Sequence, residues 1–430
     1  CLANILGFSG YDVTREYYVN DGGNQINVLA RSVYQRYLEC FGREINFEEG
    51  AYPGDYLIDV AEELKEEVGD SLLDLPEEEW LSRLRIFSTD RIMKIIKKDL
   101  ESLGVYMDIF TFENEINVSG KIQESMKLLE EKKLIYSGIL EPPKGKLLDD
   151  WEPREQTLFR STNFGDDVDR PVKKFDGGWT YFAPDIAYHF DKVKRGYDEL
   201  IDIFGADHSG YVKRMKAAVN ALSDNTVIFD IKLCQLVRLY KKGVPFKMSK
   251  RSGAFVTLRD VIDEVGPDVV RFMMLTRKND VPLDFDFDKA LEQSKDNAVF
   301  YVQYAHARCS SILRRHEEIT SLNESRMITS INLNLLGNDH EQRLIFKVSE
   351  WPRVIQLAVQ SREPHRIVFY LYEIASDFHS WQHEGKVDRN KRILVSKNDL
   401  AQARLLLLRI VKSIISSGMK ILGVTPLTKM

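Results

Sequence analysis

Cysteine is scarce in this chain and is not paired along the sequence. The four cysteines, Cys1, Cys40, Cys234 and Cys309, are scattered over 430 residues and form no CxxC motif. This spacing argues against a disulfide framework and against a zinc site, and it fits a reducing compartment. We therefore expect a cytoplasmic protein that needs no zinc.

Long apolar runs and a strong net charge are also missing. A membrane helix needs about 18 consecutive apolar residues, and the most apolar segment, LLLLRIVKSII, is interrupted by Arg409 and Lys412. We expect neither a signal peptide nor a membrane partner. The formal net charge is −6 at pH 7, so any surface that binds nucleic acid must be local.

The remaining composition is that of a globular protein with more than one domain. Hydrophobic residues make up 43% and charged residues 29% of the chain, which is ordinary for such proteins. The opening residues predict the end of a helix, a strand over 13–19 and a glycine-rich turn, as in a βαβ layout. A second buried strand is predicted over 200–204, followed by a turn at Gly205 and an amphipathic helix. From about 290 onward the apolar spacing is helical throughout.

Glycine and proline mark several boundaries. In FDGGWTYFAPDIAYHF the pair Gly177-Gly178 lies between two β-rich flanks, which predicts a hairpin within 158–190. Thr257 with Asp260 matches a capping box at the start of a helix. The pair Gly266-Pro267 predicts the end of that helix and the start of the next.

The stretch KMSKRSG, residues 247–253, concentrates positive charge. Such cations repel one another and are a poor way to build a core, whereas a strongly anionic ligand would hold them together. Lysine is a compact charge on a flexible stem, and Ser249 adds a hydroxyl donor. Lys247 and Lys250 are therefore candidates to hold a triphosphate and to stabilise departing pyrophosphate. A solvated basic loop is the structural alternative.

Two further stretches carry candidate ligand-binding groups. Tyr181 and Asp185 share one face if the segment between them is helical. A carboxylate can accept both arms of a guanidinium, and an aromatic ring can stack on it, although the residues alone favour Asp185 as a helix cap. Asp207 and His208 follow the strand predicted over 200–204, at the edge where open α/β sheets bind ligands, and helix capping is the alternative for both.

A turn at the end of the first predicted strand is the last candidate. It contains Asn20, Asp21, Gly23 and Gln25. A purely structural turn is an equally good interpretation, and we assign these residues no chemical step.

Several long stretches, in the same order, resemble arginyl-tRNA synthetases of the bacterial type. They are YDVTREYYVNDGGNQI, LFRSTNFGDDVDRPVKKFDGGWTYFAPDIAYHFDK, KMSKRSGAFVTLRDVIDEVGPDVVRFMMLTRKNDVPLDFD, NAVFYVQYAHARCSSILRR and ILGVTPLTKM. KMSKR itself resembles the second signature of class I aminoacyl-tRNA synthetases. The resemblance implies an α/β fold, with a Rossmann-type catalytic domain over about 1–290 and an all-α anticodon-binding bundle over 291–430. The catalytic domain would contain a helical insertion over about 61–150 and the KMSKR loop with its following helices at 247–290.

The same resemblance implies an arginine–tRNA ligase. Mg²⁺-ATP would activate L-arginine to arginyl-adenylate, and the arginyl group would then pass to the 3′ end of tRNA(Arg), whose presence is needed for activation. Arginine would be bound by Tyr181, Asp185 and Asp207. ATP would be bound by His208, Lys247, Met248 and Lys250, and the catalytic contacts would come from Lys247, Ser249 and Lys250.

The resemblance also implies a tRNA-binding surface in the last third of the chain. In FYVQYAHARCSSILRR the candidates are Tyr301, Tyr304 and Arg308, since aromatic rings stack on splayed anticodon bases and arginine holds phosphates. For the two tyrosines a place in the helical core is the competing interpretation. We expect a monomer.

The first class I signature, HxGH, does not occur in the sequence. The chain begins at what resembles the end of the helix that would carry it. Either the natural protein is longer, or the chain is a degenerate paralogue that binds tRNA without activating arginine. Taken alone, the 430-residue chain is expected to be inactive. A cysteinyl-tRNA synthetase is a further rival, but it would need zinc ligands.

Overall fold

The computed structural model describes residues 1–140, 155–246, 256–294, 296–320, 331–395 and 398–430. Its chain divides into two compact units. The α/β unit joins residues 16–95 and 107–236, and the bundle unit joins residues 1–15, 96–106 and 237–430.

Helices and strands alternate in the first half of the chain, and helices dominate the second half. Up to residue 236 the elements are α1 (Leu2–Phe8), β1 (Glu16–Val19), α2 (Gln25–Glu39), α3 (Tyr56–Val68), α4 (Glu77–Ser102), β2 (Ile109–Phe112), α5 (Glu113–Val118), α6 (Lys121–Glu131), β3 (Ile135–Gly138), β4 (Gln156–Phe159), β5 (Arg170–Lys173), α7 (Phe182–Lys194), β6 (Glu199–Gly205), α8 (Val212–Ser223) and β7 (Ile228–Cys234). From residue 237 they are β8 (Val237–Lys241), β9 (Val244–Pro245), α9 (Leu258–Val265), α10 (Pro267–Met274), β10 (Leu283–Asp286), α11 (Phe287–Leu291), α12 (Ala298–Thr320), α13 (Asp339–Ser361), α14 (His365–Val387) and α15 (Asn398–Leu422).

Two parallel strand pairs organise the α/β unit. Strand β1 pairs with β2, and β6 pairs with β7 along its full length, from Glu199 opposite Ile228 to Gly205 opposite Cys234. Parallel neighbours require crossover connections, which bring helices onto the strands. The strand predicted over 200–204 is confirmed, and it ends at Gly205 as the sequence indicates.

Helix α7 carries the candidate residues Tyr181 and Asp185 at its start. It buries Phe182, Ile186 and Ala187 in the core of the unit, which is the spacing of one helical face. Tyr181 is the residue that caps the helix, and Asp185 lies in its first turn. The condition under which the two residues share a face is therefore met.

The hairpin predicted within 158–190 is only half correct. The turn at Gly177-Gly178 is present, and Lys173 bridges Trp179 across it. The second flank, however, is the helix α7 and not a strand. Proline is compatible with the first turn of a helix, because the backbone N–H that it lacks would have no partner there. The gain from burying one helical face outweighs the β preference of the aromatic residues.

The bundle unit buries its core between long helices. Phe378 and Trp381 on α14 and Leu408 on α15 are almost completely buried. The capping box of Thr257 and Asp260 is confirmed at the start of α9. Gly266 ends α9 and Pro267 begins α10, as the sequence predicts.

One arginine in the bundle unit joins segments that are far apart in the sequence. Arg271 donates hydrogen bonds to the main-chain oxygens of Leu422 at 2.7 Å and Leu103 at 2.8 Å. Gly423 makes room for it, since a Cβ atom there would lie 2.3 Å from Nε of Arg271. Nearby, the Asn4 side chain donates to the main-chain oxygen of Ile421 at 2.9 Å. The first helix is thus attached to the end of the last one.

The bundle unit also contains a buried ion pair. Nε of Arg404 lies 2.6 Å from Oε1 of Glu341, and the two side chains are only 6% and 1% exposed. Arg404 further donates to the main-chain oxygens of Asn390 and Arg392. None of the helices in the described ranges is long and apolar enough to cross a membrane.

Candidate functional site

Asp185 is the centre of the candidate site in the α/β unit. It accepts a hydrogen bond from the hydroxyl of Tyr211, which follows β6 and ends a 3₁₀ turn over Ala206–Tyr211. Burial raises the pKa of the Asp185 carboxyl, while the Tyr211 hydrogen bond and the charge of His189 act in the opposite direction. The site thus holds a carboxylate at a desolvation cost that a cationic ligand would offset.

A second carboxyl, Glu113, lies close to the first. It begins helix α5, directly after strand β2. Burial raises its pKa, and the negative charges of Asp185 and Asp21 raise it further. Tyr18 on β1 lies close enough to Glu113 to lower its pKa. Three carboxyl groups therefore repel one another in this part of the α/β unit, and a planar cation that donates several hydrogen bonds would relieve the repulsion.

The turn after β1 explains how Glu113 is positioned. The Asp21 carboxylate accepts a hydrogen bond from the main-chain N–H of Asn114 at 2.9 Å. A Cβ atom on Gly22 would lie 2.9 Å from Cδ of Glu113, so any other residue there would displace the glutamate side chain from its present position. The turn to which the sequence assigned no chemical step therefore attaches the start of α5 to the end of β1.

Glu113, Tyr18 and Tyr211 are the residues that sequence reasoning missed. The available signal for Glu113 was its place directly after a strand that runs parallel to β1, since ligand-binding groups collect at that edge. That place is defined only by the pairing of β1 with β2, which joins segments about 90 residues apart in the chain.

Asp207 and His208 lie in the 3₁₀ turn after β6, as the sequence predicts. Both side chains are open to solvent, being 82% and 59% exposed, and Nε2 of His208 is 3.6 Å from Oδ2 of Asp207. The ring of His208 lies 5.8 Å from that of Phe204. His208 is also close enough to Asp185 for its charge to lower the pKa of that carboxyl.

Tyr181 is strongly exposed to solvent. Its side chain is 86% exposed, one helical turn before Asp185. A large ring left in solvent adds nothing to the core, so it is available to cover a ligand held by Asp185.

The candidate tRNA-binding residues lie in an aromatic row between α12 and α14. His379 lies 4.6 Å from the ring of Tyr301 and 5.4 Å from that of Tyr304, and Tyr372 extends the row at 5.1 Å from Tyr301. Tyr304 is 40% exposed, whereas Tyr301 is partly buried against the core. Arg308 lies on the same helix, beside Gln382.

The predicted phosphate-binding loop falls outside the described residues. Lys247, Met248, Ser249 and Lys250 belong to the stretch 247–255, so their roles stay predictions. Within the described ranges no group of three or more histidine, cysteine or acidic side chains could hold a metal ion.

Comparison with known proteins identifies the family to which this geometry belongs. A family model described as "tRNA synthetases class I (R), catalytic domain" matches residues 1–313, and one described as "DALR anticodon binding domain" matches residues 302–430. The chain is 58% identical to the arginine–tRNA ligase of Ruegeria pomeroyi over 430 residues, covering 100% of this chain and 74% of that relative. It is 58% identical to the arginine–tRNA ligase of Roseobacter denitrificans over 429 residues, with the same coverage.

Solved structures agree with these matches. A structure assigned as an arginyl-tRNA synthetase from Campylobacter jejuni is 29% identical with a TM-score of 0.81, covering 100% of this chain and 88% of that one. The arginyl-tRNA synthetase of Thermus thermophilus has a TM-score of 0.72 at 20% identity, covering 100% of this chain and 78% of that one, and it supports the fold alone. The predicted fold, a class I α/β catalytic part with a helical anticodon-binding part, is confirmed.

Proposed function

The chain belongs to the arginyl-tRNA synthetases of class I, and from this membership we propose how its residues carry out the reaction of an arginine–tRNA ligase. The observation that supports this reaction is the 58% identity, over the whole chain, to an arginine–tRNA ligase. The repelling carboxyls Glu113 and Asp185 support the assignment of the arginine site.

Asp185 and Glu113 bind the guanidinium of L-arginine in this proposal. The guanidinium presents five N–H donors in one plane, which suits two carboxylates better than it suits one. Tyr18 lies beside Glu113 and favours its ionised form, and the exposed ring of Tyr181 covers the plane of the ligand. Lysine offers a single ammonium and would leave acceptors unpaired, so it is rejected strongly.

The activation step needs no nucleophilic side chain. The arginine carboxylate attacks the α-phosphorus of Mg²⁺-ATP, and pyrophosphate leaves. Asp207 binds the α-ammonium of arginine, and His208 faces ATP. The loop residues Lys247, Met248, Ser249 and Lys250 bind the triphosphate and stabilise the charge on the leaving group, so that catalysis comes from positioning and electrostatics. The Mg²⁺ ion arrives with ATP as part of the substrate.

The tRNA is bound through the last third of the chain. Tyr304, the exposed member of the aromatic row, stacks on an anticodon base, Tyr301 supports it, and Arg308 contacts the backbone. We assign this role to a domain over about 291–430, after a catalytic domain over about 1–290 that contains the insertion at about 61–150 and the segment 247–290. The protein is proposed to act as a cytoplasmic monomer.

ATP–pyrophosphate exchange with arginine tests this proposal. It is measured with and without tRNA(Arg), on this chain and on the protein from its full natural reading frame. Exchange that depends on tRNA in the protein from the full natural reading frame supports the ligase. If that protein shows exchange and the 430-residue chain does not, the additional segment is essential for activation. Retained tRNA binding without exchange in either protein overturns the ligase and leaves a noncatalytic tRNA-binding protein.

A further inference from the structure

A buried charge cluster lies one helical turn after Asp185. It consists of His189 and Lys192 on α7 and Asp202 on β6. Nε2 of His189 lies 2.7 Å from Oδ2 of Asp202, and Nζ of Lys192 lies 2.9 Å from Oδ1. The three side chains are 4%, 9% and 10% exposed. Both oxygens of one carboxylate are thus used by two different cationic residues.

The second ring nitrogen of His189 points toward the candidate site. Nδ1 lies 2.8 Å from the main-chain oxygen of Asp185. Since a carbonyl oxygen and a carboxylate both accept, only a ring with protons on both nitrogens donates to both partners. The ring packs against Phe229 from β7, whose centroid lies 5.2 Å away. His189 therefore joins Asp202 to the backbone of Asp185.

Asp202 is the anionic member of the cluster. Burial by itself would raise the pKa of Asp202, but the charges and hydrogen bonds of His189 and Lys192 hold it far below its usual value. Asp202 is therefore the anion that His189 and Lys192 hold in the cluster. At Asp185 the charge of His189 lowers the pKa of the carboxyl, whereas the charge of Asp202 raises it.

The acidic residue on the neighbouring strand is already paired with other cations. Asp230 on β7 has ion pairs with Lys216 at 3.5 Å and Lys232 at 3.3 Å. A carboxylate with two cationic partners therefore occurs on both β6 and β7, and the contact of His189 with the main-chain oxygen of Asp185 is what distinguishes the Asp202 cluster.

We propose that His189 and Lys192 are positioning residues for arginine binding. The charge of His189 favours the ionised form of the partly buried Asp185 carboxyl, and His189 fixes the first turn of α7 from which Asp185 and Tyr181 project. Lys192 holds the Asp202 carboxylate that orients His189. This inference depends on the proposed function, in which Asp185 binds the guanidinium. Neither residue touches arginine; both act through Asp185.

Steady-state exchange kinetics of the natural full-length protein test the positioning role. The variants are His189→Gln, which keeps one donor but loses the charge, and Lys192→Gln. The matched control is Lys194→Gln on the same helix, whose side chain is 49% exposed and pairs with Glu124. We expect the KM for arginine to rise about tenfold or more in the first two variants, which corresponds to at least about 1.4 kcal/mol. The KM for ATP, the KM for tRNA and the control should stay at wild-type values.

Further measurements separate the two proposals and guard against misfolding. Asp185→Asn with an unchanged KM for arginine would overturn the proposed arginine site. A raised KM in Asp185→Asn, with wild-type values in both cluster variants, would overturn the positioning role alone. Lys192→Arg, which keeps the charge, should restore arginine binding, whereas a KM as high as that of Lys192→Gln contradicts the proposal. Nitrogen NMR of histidine-labelled wild-type protein should show a proton on Nδ1 of His189 that donates to the main-chain oxygen of Asp185; an Nδ1 without a proton contradicts the proposal without any mutation.

Discussion

The hydroxyl of Tyr211 donates a hydrogen bond to the carboxylate of Asp185. This contact joins the turn after β6 to the start of α7. Among the described residues, all those that the sequence proposes for arginine or ATP binding lie in these two segments. Tyr211 is partly buried, and burial and the charge of Asp185 raise the pKa of its phenol. Tyr211 is therefore a permanent donor that leaves the other lone pairs of Asp185 for a ligand.

Replacing Tyr211 by phenylalanine should weaken arginine binding. The change removes one hydrogen bond to a charged group, an interaction worth about 1.5–3 kcal/mol. The KM for arginine in pyrophosphate exchange should therefore rise between about tenfold and a hundredfold. The same substitution at Tyr106, which is 64% exposed, serves as the control. Equal effects of the two substitutions would argue against a role for this hydrogen bond.

Arginine affinity should fall on acidification. Only the ionised Asp185 carboxyl accepts a guanidinium, and burial raises its pKa above the usual value. Protonation therefore begins at a higher pH than for an exposed aspartate, and the dissociation constant for arginine should increase as the pH decreases through that range. Calorimetric titration at several pH values measures this. In Asp185→Asn the weakened binding should keep only the part of this pH dependence that comes from Glu113, whose pKa is also raised; a dependence equal to that of the wild type would remove Asp185 as a source of it.

The same raised pKa predicts a gain in stability for Asp185→Asn. A buried carboxyl whose pKa is raised in the folded state makes the folded protein less stable at pH values above the unfolded pKa. Asparagine removes that cost, so the melting temperature at neutral pH should increase while arginine binding decreases. Residues that bind a ligand often lower the stability of the folded protein in this way. Scanning calorimetry at neutral and acidic pH checks it, and the difference should disappear as the pH falls.

Truncating Tyr304 should weaken tRNA binding without affecting the arginine site. One base stacked on an aromatic ring contributes about 1–3 kcal/mol, so Tyr304→Ala should raise the dissociation constant for tRNA(Arg) by roughly tenfold or more. Phe346 on α13, an aromatic residue that is 64% exposed, provides the matched control Phe346→Ala. Filter binding at fixed salt measures both. Unchanged affinity in Tyr304→Ala would remove the aromatic row from the proposed interface.

Breaking the pair of Glu341 and Arg404 should destabilise the bundle unit. Removal of one partner leaves the other charge buried, at a cost of about 3–5 kcal/mol. Glu341→Gln should therefore lower the denaturant midpoint clearly. The control is Glu131→Gln in the exposed pair with Lys127, for which a change within about 0.5 kcal/mol is expected. A similar small change at Glu341 would show that water reaches the pair.

The sequence predicted the elements near the candidate site better than the contacts between them. Gly205, Thr257 and Gly266 mark boundaries through local backbone chemistry, and each of these predictions is confirmed. The aromatic residues after Gly178 favour a strand, but burial of one helical face makes the segment a helix. Local signals are reliable where one residue fixes the backbone, and weak where distant packing decides.

The contacts that build the arginine site cannot be read from local patterns. Tyr211 follows Asp185 by 26 residues and Tyr18 precedes Glu113 by about 95, and each pair meets only because strands pair in parallel. Family resemblance supplies Tyr181 and Asp185 directly, but it names no role for Gly22. That role becomes clear only from the missing space for a Cβ atom beside Glu113.

The attachment of α1 to the end of α15 has a consequence for synthesis. Cys1 and Asn4 bond to the main chain of Leu422 and Ile421, across 421 and 417 residues, and Arg271 bonds to the same C-terminal turn. During translation α1 has no α15 to pack against until almost all of the intervening residues have been synthesised. Contacts of such high sequence separation form late and slowly. The bundle unit can therefore close only after synthesis has passed Leu422, and removing the turn at Ile421–Leu422 would leave α1 without its place in the fold.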